Sequence, residues 1–129
     1  MSSRNESAPM WVSIPMRDNR IKAIFTTRCG GVSSPPFDTL NLSFQRADNR
    51  EHVMENYHRL SQGLEIPMER MVLSRQVHGS TVTVVDKSHC GMGLIRHSSY
   101  GDTDSLVTCE RGVALVTFYA DCTPVYLYD

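Results

Sequence analysis

The chain has 129 residues, 40% hydrophobic and 21% charged, with 13 Lys and Arg against 14 Asp and Glu for a net charge of −1. This length holds one domain at most, and balanced charge without a basic patch gives no electrostatic case for nucleic acid. The longest apolar stretch, Val113–Val116, is far too short to span a bilayer.

The start, Met1–Pro9, is polar, lacks the apolar core of a signal peptide and reads as a frayed end, within a tail and leading segment over 1–19. Ile21–Thr26 is a strand by its β-branched and aromatic content. Arg28–Pro36 follows as a Gly- and Pro-rich loop, where Gly30-Gly31 is either an anion cradle or a plain turn. Asp48–Leu64 reads as a helix, because Val53, Tyr57, Leu60 and Leu64 form one apolar stripe. Asp48 with Glu51 resembles a capping box, and Gly63 with Pro67 marks the stop.

Met71–Val77 and Thr81–Asp86 are strands joined tightly at His78-Gly79-Ser80. Lys87–Thr103 is a polar, glycine-bearing loop or flap. Leu106–Cys109 and Val113–Tyr119 are expected to form a strand pair around Glu110-Arg111-Gly112, and Val125–Tyr128 to begin a last strand. Strands outnumber helices, so the class is α/β or α+β with a mixed sheet. An apolar strand run at the end of the chain reads as truncation.

Four cysteines, Cys29, Cys90, Cys109 and Cys122, show no CxxC spacing, and reduced thiols in the cytoplasm are the better reading. Two places suit chemistry. His78 stands at a strand end beside a glycine, and Cys122 stands at the break between two apolar strands. Such ends let a rigid scaffold aim a side chain into a cleft. The two residues suit zinc, as imidazole and thiolate ligands, or a thiolate–imidazole nucleophile pair. A buried inert thiol is the plain alternative for Cys122. His52 and His58 lie off the helix stripe and are expected in solvent. His89, His97 and Cys90 fit no common zinc pattern. Cys29 and Cys109 read as structural.

Phe25-Thr26-Thr27-Arg28, Gly30-Gly31-Val32-Ser33 and Leu40-Asn41-Leu42 resemble the opening signature of the YfiH-like family, once called laccase-domain proteins. Asn56 and Arg59-Leu60 continue it. Gln76-Val77-His78-Gly79, Asp104-Ser105-Leu106-Val107-Thr108 and Ala120-Asp121-Cys122-Thr123-Pro124-Val125 resemble its QVHG, DALVT and ADCxPV motifs in order. The resemblance covers residues 20–129 and implies the N-terminal portion of one catalytic domain. It implies a mixed-sheet layered sandwich, a fold similar to that of a toxin deamidase with a Cys–His pair. It also implies a zinc-dependent purine nucleoside enzyme, with copper the lesser alternative as metal. The implied reactions are phosphorolysis of adenosine, inosine, guanosine and methylthioadenosine, and deamination of adenosine.

By that resemblance His78 and Cys122 are metal ligands, with a third expected beyond Asp129. Arg28 would hold phosphate, Asn41 and Gln76 would position substrate, and Asp121 would orient a ligand or move a proton. His78 and Cys122 are expected to converge on one cleft, bordered by Arg28 and Asn41. Rival readings are a metal-independent Cys–His hydrolase and a catalytically incomplete binding module.

Overall fold

The computed structural model describes residues 8–129. The frayed start expected over Met1–Pro9 therefore falls, for residues 1–7, outside the described residues. The chain divides into two compact units, residues 8–60 with Tyr126–Asp129, and Ser61–Val125.

In the first unit, β1 (Trp11–Ile14) pairs antiparallel with β2 (Ala23–Thr26), with Trp11 opposite Thr26 and Ile14 opposite Ala23. β2 lies inside the expected strand. β1 lies in what the sequence suggested was leading tail, and its Trp-Val-Ser-Ile run carries ordinary strand composition. The helix α1 (Arg50–Leu64) buries the expected stripe, with Val53, Tyr57, Leu60 and Leu64 all inaccessible or nearly so. Each such side chain contributes about 1.5–3 kcal/mol on burial. Tyr57 also stacks on Phe44 at 5.8 Å and donates its hydroxyl to the Leu42 carbonyl at 2.6 Å. Burial pushes the Tyr57 phenol far above its ordinary value.

The cap of α1 falls one residue later than the capping-box reading. The Asn49 side chain accepts the Glu51 N–H at 2.8 Å, as an N-cap does. Asp48 is engaged elsewhere, as described below. At the other end the helix passes through Gly63 and stops at Glu65, which takes a left-handed φ of 58°. Ile66 N–H reaches the Ser61 carbonyl and Glu65 N–H the Gln62 carbonyl, the Schellman arrangement.

In the second unit, β3 (Met71–Leu73) pairs in parallel with β6 (Ala114–Val116), and β4 (Val82–Val84) pairs in parallel with β5 (Ser105–Val107). The expected pairing between the strands flanking Glu110-Arg111-Gly112 is thus replaced by two crossover pairings. A tight turn does not force a hairpin when each strand finds a longer-range parallel partner. β3 is fully buried, and Met92, Leu94 and Val85 join its core. The loop 90–96 packs on the other edge of β3 rather than hanging free as a flap. Gly91 N–H donates to the Met71 carbonyl and Leu73 N–H to the Met92 carbonyl.

Val125–Tyr128 forms no strand, which corrects the expectation of a last one. Side chains hold it instead, within the first unit. Tyr126 donates its hydroxyl to the Ile24 carbonyl at 2.8 Å, and Tyr128 donates to Asp18 at 2.9 Å. The class is mixed α/β, as expected, with one antiparallel and two parallel ladders among the described residues.

Candidate functional site

Beyond β3 and β6 the two chains stay together through a side chain. The Gln76 carboxamide donates from Nε2 to the Phe118 carbonyl at 2.7 Å and accepts the Phe118 N–H at its Oε1 at 2.6 Å. It thus behaves as a peptide rung, extending pairing that ends in the backbone at Ser74 N–H to the Val116 carbonyl. Ser74 Oγ donates to the same Oε1 at 2.8 Å and fixes the rotamer. The carboxamide proposed from sequence to position substrate thus uses both acceptor positions of Oε1 and one N–H of Nε2 within the protein. What it secures is the run of residues leading to His78 on one side and to Asp121 and Cys122 on the other.

His78 is exposed and takes a left-handed φ of 61°. That conformation costs an L-residue about 1–2 kcal/mol. Asp104, from the strand-leading segment before β5, accepts the Val77 N–H at 3.0 Å. Its carboxyl is held below the ordinary carboxylate value chiefly by that bond. Desolvation opposes the shift, and the Gly79 and His78 N–H groups and the His78 charge reinforce it. Cys122 and Asp121 are exposed on the segment after β6, and all four cysteines are free thiols. The buried inert alternative for Cys122 is thereby set aside, and Cys109, expected to be structural, is also exposed.

In the first unit the loops after β2 form a self-contained polar network. The Arg28 carbonyl accepts the N–H groups of Thr39 and Leu40, and the Arg28 guanidinium donates to the Asp38 carbonyl at 3.0 Å while staying 73% exposed. Asn56, wholly buried on α1, accepts the Val32 N–H at 2.8 Å and donates to Ser33 Oγ and the Asn41 carbonyl. The Asn41 amide donates to Asp48 and to the Ser43 carbonyl, and Ser33 donates to Asp48 at 2.6 Å. Gly31 sits so close to this network that a Cβ there would lie 2.1 Å from the Thr39 carbonyl oxygen. The glycine pair is therefore a packed crossing of two loops.

Gln76, His78, Asp121 and Cys122 belong to the second unit and Arg28 and Asn41 to the first. Thiolate and imidazole suit zinc in kind, but three protein ligands are the usual minimum. Among the described residues no three His, Cys, Asp or Glu gather to hold a metal ion. The other histidines serve locally. His89 accepts the Asp86 N–H at 3.0 Å, His58 and His97 are exposed, and His52 is half-buried rather than fully in solvent. An open cavity in the second unit, lined by Arg70, Lys87, Cys90, Arg111 and Gly112, includes none of Arg28, Asn41, Gln76, His78, Asp121 and Cys122. Sequence reasoning gave Asp104 and Asn56 no role beyond the motifs they stand in, and read Asp48 as a helix cap. A carboxylate that serves backbone amides far away in sequence leaves no local pattern to read.

The model of the multi-copper polyphenol oxidoreductase laccase family matches residues 22–129, and the chain belongs to that family, which includes the YfiH-like proteins. Over 110 residues the chain is 42% identical to a purine nucleoside phosphorylase of Mycobacterium bovis, covering 85% of this chain and 41% of that protein. The crystal structure of YlmD from Geobacillus stearothermophilus superposes with a TM-score of 0.72 at 40% identity, over 75% of this chain and 36% of that one. A Bacillus licheniformis hypothetical protein, YfiH, superposes at 0.76 with 30% identity, over 81% and 39%. The chain thus spans about two fifths of the length of the curated relatives it matches. No helix among the described residues is long and apolar enough to cross a membrane.

Proposed function

We propose that this chain carries part of the active site of a purine nucleoside phosphorylase, with His78 and Cys122 at its centre. The observation that carries this reading is the Gln76–Phe118 rung, which ties the residue two before His78 to the residue four before Cys122 past the ends of two parallel strands. Clefts at the carboxyl ends of parallel strands are favoured places for ligands in α/β folds. The names of the relatives support the substrate class, a purine nucleoside with inorganic phosphate.

In phosphorolysis a phosphate oxygen bonds to the anomeric carbon while the bond to the purine nitrogen breaks, and the departing base takes up a proton. Arg28, whose guanidinium pairs with the Asp38 carboxylate at 3.5 Å and stays 73% exposed, can offer phosphate its remaining always charged donors. Asp121 is exposed beside Cys122 and can move the proton or orient a ligand. Asn41 and Gln76 act indirectly, by fixing the loops on which these groups stand. His78 and Cys122 supply two zinc ligands, so a third protein donor from outside residues 8–129 is part of the proposal. Zinc, when bound, supplies a Lewis acid. Adenosine deamination and methylthioadenosine phosphorolysis belong to the same proposal, as does a reducing, cytoplasmic setting in keeping with four free thiols.

The test is phosphate-dependent release of hypoxanthine from inosine, with zinc content, for this chain and for a chain extended to the relatives' full length. The extended chain should turn over inosine and lose both activity and zinc with His78→Ala or Cys122→Ala. Full activity in both variants would end the proposal. Zinc-free protein that releases hypoxanthine without phosphate, and still depends on both residues, would favour the Cys–His hydrolase chemistry.

A further inference from the structure

We infer that Asp104 is the positioning residue that presents the His78 imidazole, through the backbone of the Val77–Gly79 turn. The inference rests on the reading of His78 as a site residue, and it concerns a residue that never touches substrate itself.

The turn has a conformational problem. His78 sits at φ 61°, which L-residues avoid. Successive N–H groups in such a turn point to one side and make a concave donor site that an anion satisfies. Asp104 fills that place. Its carboxylate takes the Val77 N–H at 3.0 Å, and the His78 and Gly79 N–H groups help to hold the carboxyl below its ordinary value. A charged acceptor holds amides about twice as strongly as a neutral one.

The carboxylate in turn stands on a fixed platform. The neighbouring Thr103 is wholly buried. Its N–H donates to the Arg75 carbonyl at 2.8 Å, and its hydroxyl accepts from the Thr83 hydroxyl and shares its one hydrogen between the Ser105 and Thr81 carbonyls. Asp104 N–H itself donates to the Thr81 carbonyl at 3.1 Å. Both sides of the turn, residues 75 and 81, are thus tied to the segment that carries Asp104. The exposed Asp102, two residues away, only pairs with Arg75 and provides a control.

The experiment compares Asp104→Ala, Asp104→Asn, Asp102→Ala and His78→Ala in the whole chain. It reads zinc affinity by competition, amide exchange at residues 77–79 and thermal midpoint. Loss of a group that orients a metal ligand typically weakens binding about 10- to 100-fold. Asp104→Ala should lower zinc affinity in that range and speed exchange of the three amides, with Asp104→Asn intermediate because one acceptor oxygen remains. Asp102→Ala should leave both unchanged. If Asp104→Ala fails to fold, Asp104→Asn carries the same comparison. Wild-type affinity and exchange in Asp104→Asn and Asp104→Ala, where His78→Ala loses zinc, would overturn the inference. If His78→Ala keeps wild-type affinity, the metal reading of His78 fails, and the exchange rates alone decide whether Asp104 holds the turn.

Discussion

Gln76 and Phe118 are joined as two peptides in a sheet would be, with a side-chain amide in place of one backbone, at 2.7 and 2.6 Å. Gln76→Ala removes both bonds and leaves a half-buried N–H and carbonyl on Phe118. A cost of about 1–3 kcal/mol is expected for stranding such groups. Gln76→Glu should cost more, because its carboxylate would face the Phe118 carbonyl. Urea unfolding of the two variants measures this, and an unchanged midpoint in both would show that the rung is dispensable.

Asn56 is the hub of the first unit. Replacing it with Ala strands the Val32 N–H and the Asn41 carbonyl beside a fully buried position. The expected loss is about 2–3 kcal/mol, read in the same unfolding assay. Gly31→Ala should be at least as damaging, since its Cβ would meet backbone at 2.1 and 2.6 Å. Soluble, wild-type-stable Gly31→Ala protein would contradict this packing.

Glu65 gives a prediction of the opposite sign. It is exposed and holds φ 58° as the residue after the α1 C-cap, a place where glycine is strain-free. Glu65→Gly should stabilise the chain by about 1 kcal/mol. A lowered thermal midpoint would mean that the Glu65 side chain contributes something beyond its backbone.

Asp48 links stability to pH. Desolvation raises its carboxyl, but the Ser33 hydroxyl, the Asn41 amide, the Asn49 N–H and the His52 charge together bring it below the ordinary value of 3.8. A folded value below the unfolded one means stability that is present above about pH 4. It is lost as pH falls through the folded value. Asp48→Asn should therefore flatten the fall in stability between pH 5 and acid, with the unfolding midpoints of the two proteins converging at low pH. Parallel profiles for the two proteins would contradict the assignment.

Much of this was legible in the sequence where a short-range period decides the outcome. Val53, Tyr57, Leu60 and Leu64 repeat at helical spacing, and the helix buried all of them. The cap slipped by one because Asp48 and Asn49 can both cap, and only the distant Ser33 and Asn41 decide which is free. The strands were placed but wrongly partnered. The choice between a hairpin at Gly112 and the crossovers to β3 and β4 lies in long-range packing, not in the turn. Of the site, His78 and Cys122 stood out as chemistry at strand ends, and both are exposed. Gln76 and Asn41 were assigned to substrate by the family resemblance, and their bonds to Phe118, Ser43 and Asp48 stayed hidden because an exposed and an internally bonded carboxamide look alike in sequence. Asp104 went without a role because the backbone it serves lies at Val77–Gly79, set apart by β4 and the loop that follows it.

The central claim is that His78 and Cys122 serve one site. X-ray absorption at the zinc edge of the zinc-loaded chain tests it most directly. The account predicts one sulfur at about 2.3 Å and imidazole nitrogen at about 2.0–2.1 Å. The sulfur shell should vanish in Cys122→Ala and an imidazole contribution in His78→Ala. A zinc spectrum identical in the wild-type chain and both variants would contradict it.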